Sequence, residues 1–376
     1  MAKKVRVGLL FGGRSGEHEV SLMSARGVMG AIDRAKFEVV PIGITRQGRW
    51  LASGDPMKAL SSGVATESDP ALLLAEPSRL GLMRVVDQGQ EQVLSAVRVS
   101  QLDVVFPILH GPYGEDGTIQ GLLELADIPY VGAGVAASAV GMDKALFKDI
   151  MCAHGLPVVA YLVIKRRAWE REPEETLAQI EAEIGYDCFV KPANLGSSVG
   201  ISKAHNRSDL CAALDEAARY DRKLLVENAI DAREIEVSVL GNDEPIASVP
   251  GEIVPCNEFY DYAAKYIDGE SDLLIPAPIP PDTAQLIQRL AVQSYRAIDC
   301  AGMARADFLL DRQTEKVYVN ELNTLPGFTP ISMYPKLWEA SGISYTELID
   351  RLIQLALERH ADKSRSATEY RIPDAE

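Results

Sequence analysis

The segment "ARADFLLDRQTEKVYVNELN", residues 304–323, contains two strand-like runs that flank the short polar turn "RQTE". Two short apolar runs on either side of a turn are typical of an antiparallel β-hairpin. If the hairpin is symmetric about Thr314, Asp307 lies directly opposite Glu321. The sequence therefore predicts that two carboxylates face each other across a pair of strands.

The same face of this hairpin carries further polar side chains. Residues two positions apart along a strand share a face, so Arg305 and Asn323 lie beside the facing carboxylates. Like charges directly opposite each other destabilise a sheet, and a divalent cation between them would offset that repulsion. Two carboxylates and an amide oxygen suit Mg²⁺, whereas zinc favours His or Cys. The hairpin predicts a magnesium site, and the alternative is an ordinary exposed polar strand face.

The composition is that of a soluble globular protein with two or three domains. The chain has 376 residues, of which 47% are hydrophobic and 24% charged. A net charge of -16 argues against nucleic-acid and membrane partners, because both require a basic surface. The five cysteines are odd in number and form no C-x-x-C pair, so we expect neither a disulfide framework nor a zinc site. A reducing cytoplasm is the expected location.

The pattern along the chain predicts three consecutive units of an α/β protein, α+β overall. In residues 1–134, the runs "VRVGLLF", "FEVVPIGIT" and "LDVVFPIL" predict an open, mostly parallel sheet, and "LMRVVDQGQEQVLSAVRV" predicts a peripheral hairpin. Residues 135–227 predict a compact unit of alternating helices and strands. Residues 228–376 form the third unit, and its last sixteen residues, 361–376, lack periodicity and are expected to be a loose tail.

A loop of small residues follows the predicted strand in "FVKPANLGSSVGISK". Its glycines let backbone N–H groups approach an anion, Ser197 and Ser198 add donors, and Lys191 supplies a compact positive charge. The spacing matches neither the Walker motif nor the dinucleotide-binding fingerprint. The loop predicts a phosphate site, and a flexible surface loop is the alternative.

Two acids flank a bend in "LLVENAIDAREIEVSVL". Glu227 and Glu234 could accept hydrogen bonds from an adenine amino group and ribose hydroxyls, or form a polar hairpin end. Lys144 begins a predicted helix in "GMDKALFK" and is a second candidate cation for phosphate.

Two glycine-rich segments near the start of the chain carry acids and a histidine. In "FGGRSGEHEVS", Glu17 lies where a pyrophosphate would need positive charge, so this turn suits an ammonium group instead. In "HGPYGEDG", His110 directly follows a predicted strand, which is where open α/β sheets bind ligands. A structural histidine is the alternative.

The segment "EFYDYAAKY", residues 258–266, places Tyr260, Tyr262 and Tyr266 around Lys265. Prolines bracket it on both sides, which indicates a tethered loop rather than a long helix or strand.

Together these segments resemble the ATP-grasp superfamily and, within it, the D-alanine-D-alanine ligase family. The resemblance covers nearly the whole chain, and residues 52–98 are its least similar part. It rests on seven motifs in the order and approximate spacing of the family, which are "GGRSGEHEVSL", "HGPYGEDG", "GMDK", "VKPANLGSSVG", "EFYDYAAKY", "RADFLL" and "NELNTLPGFT".

The resemblance implies a cytoplasmic, homodimeric enzyme that joins two D-alanines through a D-alanyl phosphate and a tetrahedral intermediate, for peptidoglycan precursors. It implies ATP as a substrate between the central and C-terminal units, two Mg²⁺ ions, for which Mn²⁺ could substitute, and room for a monovalent cation such as K⁺. An acyl phosphate must be kept from water, so the loop 256–272 is expected to act as a lid.

Residue roles follow from the same resemblance. It assigns the metal ions to Asp307, Glu321 and Asn323, the ATP phosphates to Lys144, Lys191, Ser198 and Lys265, and adenosine to Glu227, Glu234 and Phe259. It assigns the first D-alanine to Glu17, His110 and Ser197, the oxyanion to Arg305 and the Gly327 N–H, and the second D-alanine to Ser332 and Tyr266.

Three alternatives stay open at this point. A ligase of the same fold that uses D-lactate or D-serine second is disfavoured by Tyr266, because those relatives tend to carry His there. An inactive nucleotide-binding sensor is disfavoured by the intact polar set Arg305, Asp307, Glu321 and Asn323. A nicotinamide oxidoreductase is disfavoured by the missing dinucleotide fingerprint.

Overall fold

The computed structural model describes residues 3–63, 70–77, 81–87, 94–254 and 272–367. The turn of the predicted peripheral hairpin and most of the predicted lid, with Phe259, Lys265 and Tyr266, lie outside the described residues.

The first layer is a parallel sheet with one antiparallel edge strand, as the apolar runs predict. Strands buried on both faces need continuous apolar sequence, and β1 and β7 have it. The strand order is β3-β2-β1-β7, with β1 parallel to both neighbours and β3 antiparallel to β2. The strands are β1 Val5–Gly12, β2 Phe37–Ile44, β3 Trp50–Leu51 and β7 Val104–Ile108, and the helices are α1 His18–Ala31, α2 Pro56–Ser62 and α3 Thr118–Leu125.

Between β3 and β7 along the chain, three strands form a small separate antiparallel sheet in the order β4-β5-β6. Its strands are β4 Ala71–Leu73, β5 Leu82–Asp87 and β6 Leu94–Ser100. The pairing of β5 with β6 confirms the predicted peripheral hairpin.

The second main sheet is antiparallel throughout, in the order β10-β9-β11-β8. Apolar residues of α7 and α8, such as Ile180 and Leu214, are buried with Val190 and Val226 of the strands. The strands are β8 Tyr161–Lys165, β9 Cys188–Pro192, β10 Ser202–Ala204 and β11 Lys223–Asn228. The helices of this part of the chain are α4 Val135–Met142, α5 Lys144–Ala153, α6 Arg166–Arg171, α7 Pro173–Glu183 and α8 Arg207–Tyr220.

The third main sheet is also antiparallel, in the order β15-β14-β12-β16-β17, with β13 paired to β12. Its core joins Phe147 of α5 and Tyr295 of α9 to Phe308 and Val319 of the predicted hairpin. The strands are β12 Ala232–Gly241, β13 Ile246–Ala247, β14 Gly251–Val254, β15 Asp272–Leu274, β16 Gly302–Asp311 and β17 Val317–Asn323, and the helix is α9 Pro281–Ala297.

The last two helices, α10 Met333–Ala340 and α11 Tyr345–Lys363, return to the first layer. Leu348 and Leu352 of α11 share a buried cluster with Leu9 and Phe106 of the first sheet. None of the helices in the described part of the chain combines the length and apolar composition of a membrane span.

Helix α11 ends at Lys363, so the first three residues of the predicted loose tail are helical. Long-range partners hold this last turn: Lys363 pairs with Glu124, and His360 Nε2 lies 3.0 Å from Asp127 Oδ1. Local periodicity contains no trace of these contacts. Residues 368–376 lie outside the described residues.

Candidate active site

A cavity of about 540 Å³ lies between the second and third sheets. This volume is in the range of small-molecule and cofactor sites. It brings together side chains that are far apart in sequence, from α5, from the loop after β9 and from the hairpin β16–β17. The predicted site residues that line it are Lys144, Lys191, Ser197, Ser198, Glu227, Glu234, Asp307, Glu321 and Asn323.

The hairpin has the predicted register at the site. Asp307 pairs with Glu321, and Arg305 pairs with Asn323. Closer to the turn the prediction is wrong by one residue, because Phe308 pairs with Val319 and not with Asn320.

A β-bulge at Asn320 explains both results. The register shifts between Asp307 and Phe308, so Asn320 is the extra residue on β17. Strict alternation after the buried Val319 would point residue 321 into the core. With the bulge, Asn320 and Glu321 both line the cavity, while Leu322 is 1% exposed. The apolar spacing of three between Val319 and Leu322 is the sequence signal for it.

Arg305 organises the carboxylates of this sheet. Its Nε and Nη2 each donate to an Asp307 oxygen at 2.7 Å, and Nε lies 3.0 Å from Glu236 Oε2. Asn323 Nδ2 donates to Asp307 Oδ2 at 3.0 Å and to Glu321 Oε1 at 3.4 Å. Burial opposes the charge of Arg305, but the neighbouring carboxylates outweigh it and hold its pKa well above the usual value. The sequence analysis missed Glu236, which lies opposite Asp307 on β12.

The donor set of the hairpin fits magnesium better than zinc. Among the described residues, no group of three or more His, Cys, Asp or Glu side chains is arranged for a metal ion. The hairpin offers two carboxylates and the Asn323 amide, all within one contact network. These are hard oxygen donors, which Mg²⁺ prefers.

Glu227 lies between two lysines on the opposite wall of the cavity. Its Oε2 is 2.5 Å from Lys191 Nζ and its Oε1 is 2.8 Å from Lys148 Nζ. Burial favours the protonated carboxyl, but the two ammonium groups outweigh burial and lower the pKa of Glu227 to about 2. Burial likewise opposes the charge of Lys191, yet Glu227 raises the pKa of Lys191 above its ordinary value. The sequence analysis missed Lys148, which is 1% exposed.

Lys144 connects the two walls. Asp143 caps α5 by accepting from the Leu146 N–H at 3.1 Å, and it pairs with Lys223 of β11. This cap fixes the start of the helix against the second sheet. Lys144 Nζ then donates to the Leu195 carbonyl at 2.9 Å and lies 3.3 Å from Glu321 Oε2.

The loop after β9 reaches the first layer through Ser197. Ser197 and Ser198 have φ values of 53° and 57°, and Ser197 Oγ donates to Glu17. Glu17 also lies against Gly111, where an added Cβ would be 2.8 Å from its Oε2. The φ of 76° at Gly111 favours glycine, and a side chain there would displace the Glu17 carboxylate. Glu17 therefore adjoins the cavity, although it is not part of its lining.

His110 is buried behind Glu17 in a polar network. Its Nδ1 lies 3.2 Å from the Leu325 carbonyl and 3.4 Å from Glu115 Oε1, and its Nε2 lies 3.1 Å from Ser24 Oγ. Burial opposes the charged imidazole, but the Glu115 carboxylate outweighs burial and raises the pKa of His110. Glu115 lines the cavity and was not among the predicted site residues.

Gly327 and Ser332 lie together in the loop before α10. An added Cβ on Gly327 would be 3.0 Å from Ser332 Oγ, and Ser332 Oγ also accepts from the Thr329 N–H at 3.1 Å. The neighbouring Phe328 N–H donates to Ser24 Oγ at 3.3 Å, which connects this loop to His110. Neither Gly327 nor Ser332 lines the cavity, and Arg305 does not line it directly.

Comparison with known proteins agrees with this geometry. The family model described as "D-ala D-ala ligase N-terminus" matches residues 6–133, and that described as "D-ala D-ala ligase C-terminus" matches residues 150–354. The D-alanine--D-alanine ligase of Heliobacterium modesticaldum is 54% identical over 370 residues, which are 98% of this chain and 99% of that protein.

Two solved structures are similar over almost the whole chain. The D-alanine-D-alanine ligase from Coxiella burnetii has a TM-score of 0.79 and 36% identity, with 97% of each chain covered. VanG D-Ala:D-Ser ligase from Enterococcus faecalis has a TM-score of 0.83 and 35% identity, with 94% of this chain and 100% of that chain covered. The architecture is thus the ATP-grasp fold of carboxylate-activating ligases. With both family models matched, the chain belongs to the D-alanine--D-alanine ligase family.

Proposed function

We propose that this chain ligates two D-alanines to D-alanyl-D-alanine for peptidoglycan precursors, with conversion of ATP to ADP and phosphate. The observation that carries the proposal is one cavity in which Lys144 and Lys191 lie with the Asp307 and Glu321 hairpin. Glu17 adjoins this cavity, so a candidate amino-acid site lies next to a candidate phosphate site. Family membership over most of the chain supports the same activity.

The charge of the cavity supports binding of ATP together with metal ions. Among the described residues that line it, eight are Asp or Glu and four are Lys or Arg. Such a lining would repel a bare polyphosphate. We assign two Mg²⁺ ions, for which Mn²⁺ could substitute, to Asp307, Glu321 and Asn323. When bound, they would supply positive charge to the phosphoryl group in transfer. Participation of a monovalent cation such as K⁺ is part of the same proposal.

The remaining nucleotide contacts come from the opposite wall. We assign the phosphates to Lys144, Lys191 and Ser198, with Lys265 from outside the described residues. Glu227, Glu234 and Phe259 are assigned to adenosine. Glu227 contacts both Lys148 and Lys191. A change at Glu227 should therefore affect the phosphate contact of Lys191 as well as the binding of adenosine.

The first half of the reaction activates a carboxylate. Transfer of the γ-phosphoryl group to the first D-alanine forms an acyl phosphate, which is a better electrophile than a carboxylate. Glu17 pairs with the ammonium group of this D-alanine, and Ser197 fixes the direction of the Glu17 carboxylate. His110, which contacts Glu115 and Ser24 next to Glu17, is assigned to the same D-alanine.

The second half forms the peptide bond. The amine of the second D-alanine loses a proton and attacks the acyl phosphate, and the resulting oxyanion needs preorganised donors. We assign the Arg305 guanidinium, which Asp307 and Glu236 hold in place, to the oxyanion, together with the Gly327 N–H. Ser332, next to Gly327, and Tyr266 are assigned to the second D-alanine. Phosphate then leaves.

The proposal extends to the organisation of the protein. We retain the division into residues 1–134, 135–227 and 228–376, with helix α11 packed on the first of these units. As the family resemblance implies, the enzyme acts in the cytoplasm as a homodimer.

The decisive test is phosphate release from ATP by the pure protein. Release should depend on both Mg²⁺ and D-alanine, and D-alanyl-D-alanine should form in equal amount. Folded protein that releases no phosphate under these conditions would instead support the inactive nucleotide-binding sensor.

The similarity to VanG favours one alternative acceptor, D-serine. Product analysis with D-alanine, D-serine and D-lactate offered together near neutral pH separates the possibilities. We expect D-alanyl-D-alanine as the main product. A predominance of the D-serine dipeptide or of the D-lactate depsipeptide would overturn the proposed acceptor and leave the ATP-dependent chemistry intact.

A further inference from the structure

Lys148 is a buried lysine without a role in the mechanism described above. Its side chain is 1% exposed, and its ammonium lies 2.8 Å from Glu227 Oε1 and 5.9 Å from the centre of the Tyr161 ring. Burying an ammonium is costly unless a carboxylate compensates it. The Glu227 carboxylate does so, but it is shared with Lys191.

Two lysines of helix α5 contact acids on two different sheets. Lys144 and Lys148 are four residues apart, so they lie on one face of the helix, one turn from each other. Lys144 reaches Glu321 on the third sheet, and Lys148 reaches Glu227 on the second. The helix thus contributes one cation to the cavity and a second, buried cation to the Glu227 carboxylate.

The charge balance of the Lys148, Glu227 and Lys191 triad depends on Lys148. Glu227 and Lys191 alone would form a neutral pair, and a phosphate would have to compete with Glu227 for the Lys191 ammonium. With Lys148 present, the triad carries one net positive charge. The pKa directions agree, since the two lysines lower the pKa of Glu227 to about 2 against the effect of burial.

We propose that Lys148 is a positioning residue that neutralises Glu227 and thereby keeps the Lys191 ammonium available to a nucleotide polyphosphate. The inference rests on the proposed placement of ATP phosphates beside Lys191. When a phosphate oxygen draws Lys191 away from Glu227, Lys148 stays beside the carboxylate, so no buried charge is left uncompensated.

The test is a double-mutant cycle between Lys148→Met and Glu227→Gln. Affinity is measured by calorimetry for a non-hydrolysable ATP analogue with Mg²⁺, and for adenosine. In the wild-type background, we expect Lys148→Met to weaken binding of the analogue by about tenfold or more, because one charge is lost beside the phosphate. Adenosine, which has no phosphate, should lose clearly less affinity than the analogue, although Glu227 is assigned to it.

In the Glu227→Gln background, Lys148→Met should have little further effect, because no carboxylate remains to capture Lys191. An equal loss in both backgrounds would mean that Lys148 contacts the phosphates itself and would overturn the proposal. Lys36→Met, which removes a surface lysine paired with Asp350, is the control for a general loss of charge and should leave affinity unchanged.

Two further results separate the possible failures. If Lys148→Met does not fold, Lys148→Gln replaces it with the same expectation, since Gln can donate to Glu227 but carries no charge. Wild-type protein that does not bind the analogue would overturn the proposed nucleotide site. Normal wild-type binding with no loss in the folded variant would overturn only the role of Lys148.

Discussion

Two buried ion clusters, one beside each wall of the cavity, have opposite net charge. On the wall from the second sheet, two lysines share the single carboxylate of Glu227. On the wall from the third sheet, a single guanidinium, Arg305, lies between the carboxylates of Glu236 and Asp307. A cluster with an excess cation suits phosphate, and a cluster with an excess carboxylate suits metal ions. The difference supports our proposal of a phosphate site and a metal site on separate sheets, with Lys144 in contact with Glu321 between them.

Glu321→Gln should remove one of the carboxylates assigned to the metal ions and should have the largest effect on activity. The substitution keeps the shape of the side chain and removes the charge that faces Lys144. We expect D-alanine-dependent phosphate release to fall at least about 100-fold, because a bound metal contributes several kcal/mol to the transition state. The measurement is phosphate release as a function of Mg²⁺ concentration.

The matched control is Glu315→Gln, on the exposed turn of the same hairpin. It should keep both activity and melting temperature. A Glu321→Gln enzyme with the Mg²⁺ dependence of the wild type would refute the assignment of the metal to this wall.

Arg305→Lys tests the assignment of the Arg305 guanidinium to the oxyanion. Lysine keeps the charge but loses the two parallel hydrogen bonds to Asp307 and the further donors of Arg. We expect kcat to fall about 10- to 100-fold, with KM for ATP nearly unchanged, because the loss is in oxyanion stabilisation. Steady-state kinetics checks this, with the exposed Arg351→Lys as control. A rise in KM for ATP with constant kcat would count against the assigned role.

Ser197→Ala and Ser198→Ala, in the loop after β9, should distinguish the binding of D-alanine from the binding of ATP. Ser197 donates to Glu17, so its loss should raise KM for the first D-alanine. Ser198 is assigned to phosphate, so its loss should raise KM for ATP. Each effect should be about 3- to 10-fold, the usual range for one hydrogen bond. The pair of KM values checks the assignment, and the same KM rising in both variants would contradict it.

Glu227→Gln should destabilise the fold by an amount that depends on pH, because it removes the carboxylate between Lys148 and Lys191. The pKa of Glu227 is about 2, below the ordinary 4.5, so its charge stabilises the folded state above pH 4.5. That contribution is lost as the pH falls from 4.5 towards 2. The difference in melting temperature between wild type and variant should therefore be greatest near neutral pH and shrink in acid. A difference that stays constant across this range would show that the pKa of Glu227 is the same in the folded and unfolded states and is not lowered by the two lysines.

The sequence predicts the hairpin well because alternation and turn position are local properties. It places Asp307 opposite Glu321 but misses the bulge at Asn320, which depends on how Val319 packs into the core. The strand pairing near the turn, where Phe308 faces Val319, is therefore shifted by one residue from the pairing of Asp307 with Glu321. A prediction from symmetry alone therefore succeeds at the site and fails beside it.

Residues whose roles depend on burial were harder to find. Lys148 looks like any solvated helix residue in the sequence, and only the position of α5 against β11 makes it a buried partner of Glu227. Glu236 lies two residues after Glu234 on β12, but its contact with Arg305 depends on the pairing of β12 with β16. Long-range packing, which no local pattern encodes, decides both cases.

The packing of α11 against the first sheet has a consequence for biosynthesis. The residues of this helix that cover Leu9 and Phe106 leave the ribosome only after residues 1–344. The first sheet therefore keeps this part of its apolar surface uncovered until helix α11 has been translated, although domains generally fold from the N-terminus during synthesis. A nascent chain or a fragment that stops before Tyr345 exposes that face, which makes it a natural substrate for chaperones and prone to aggregation.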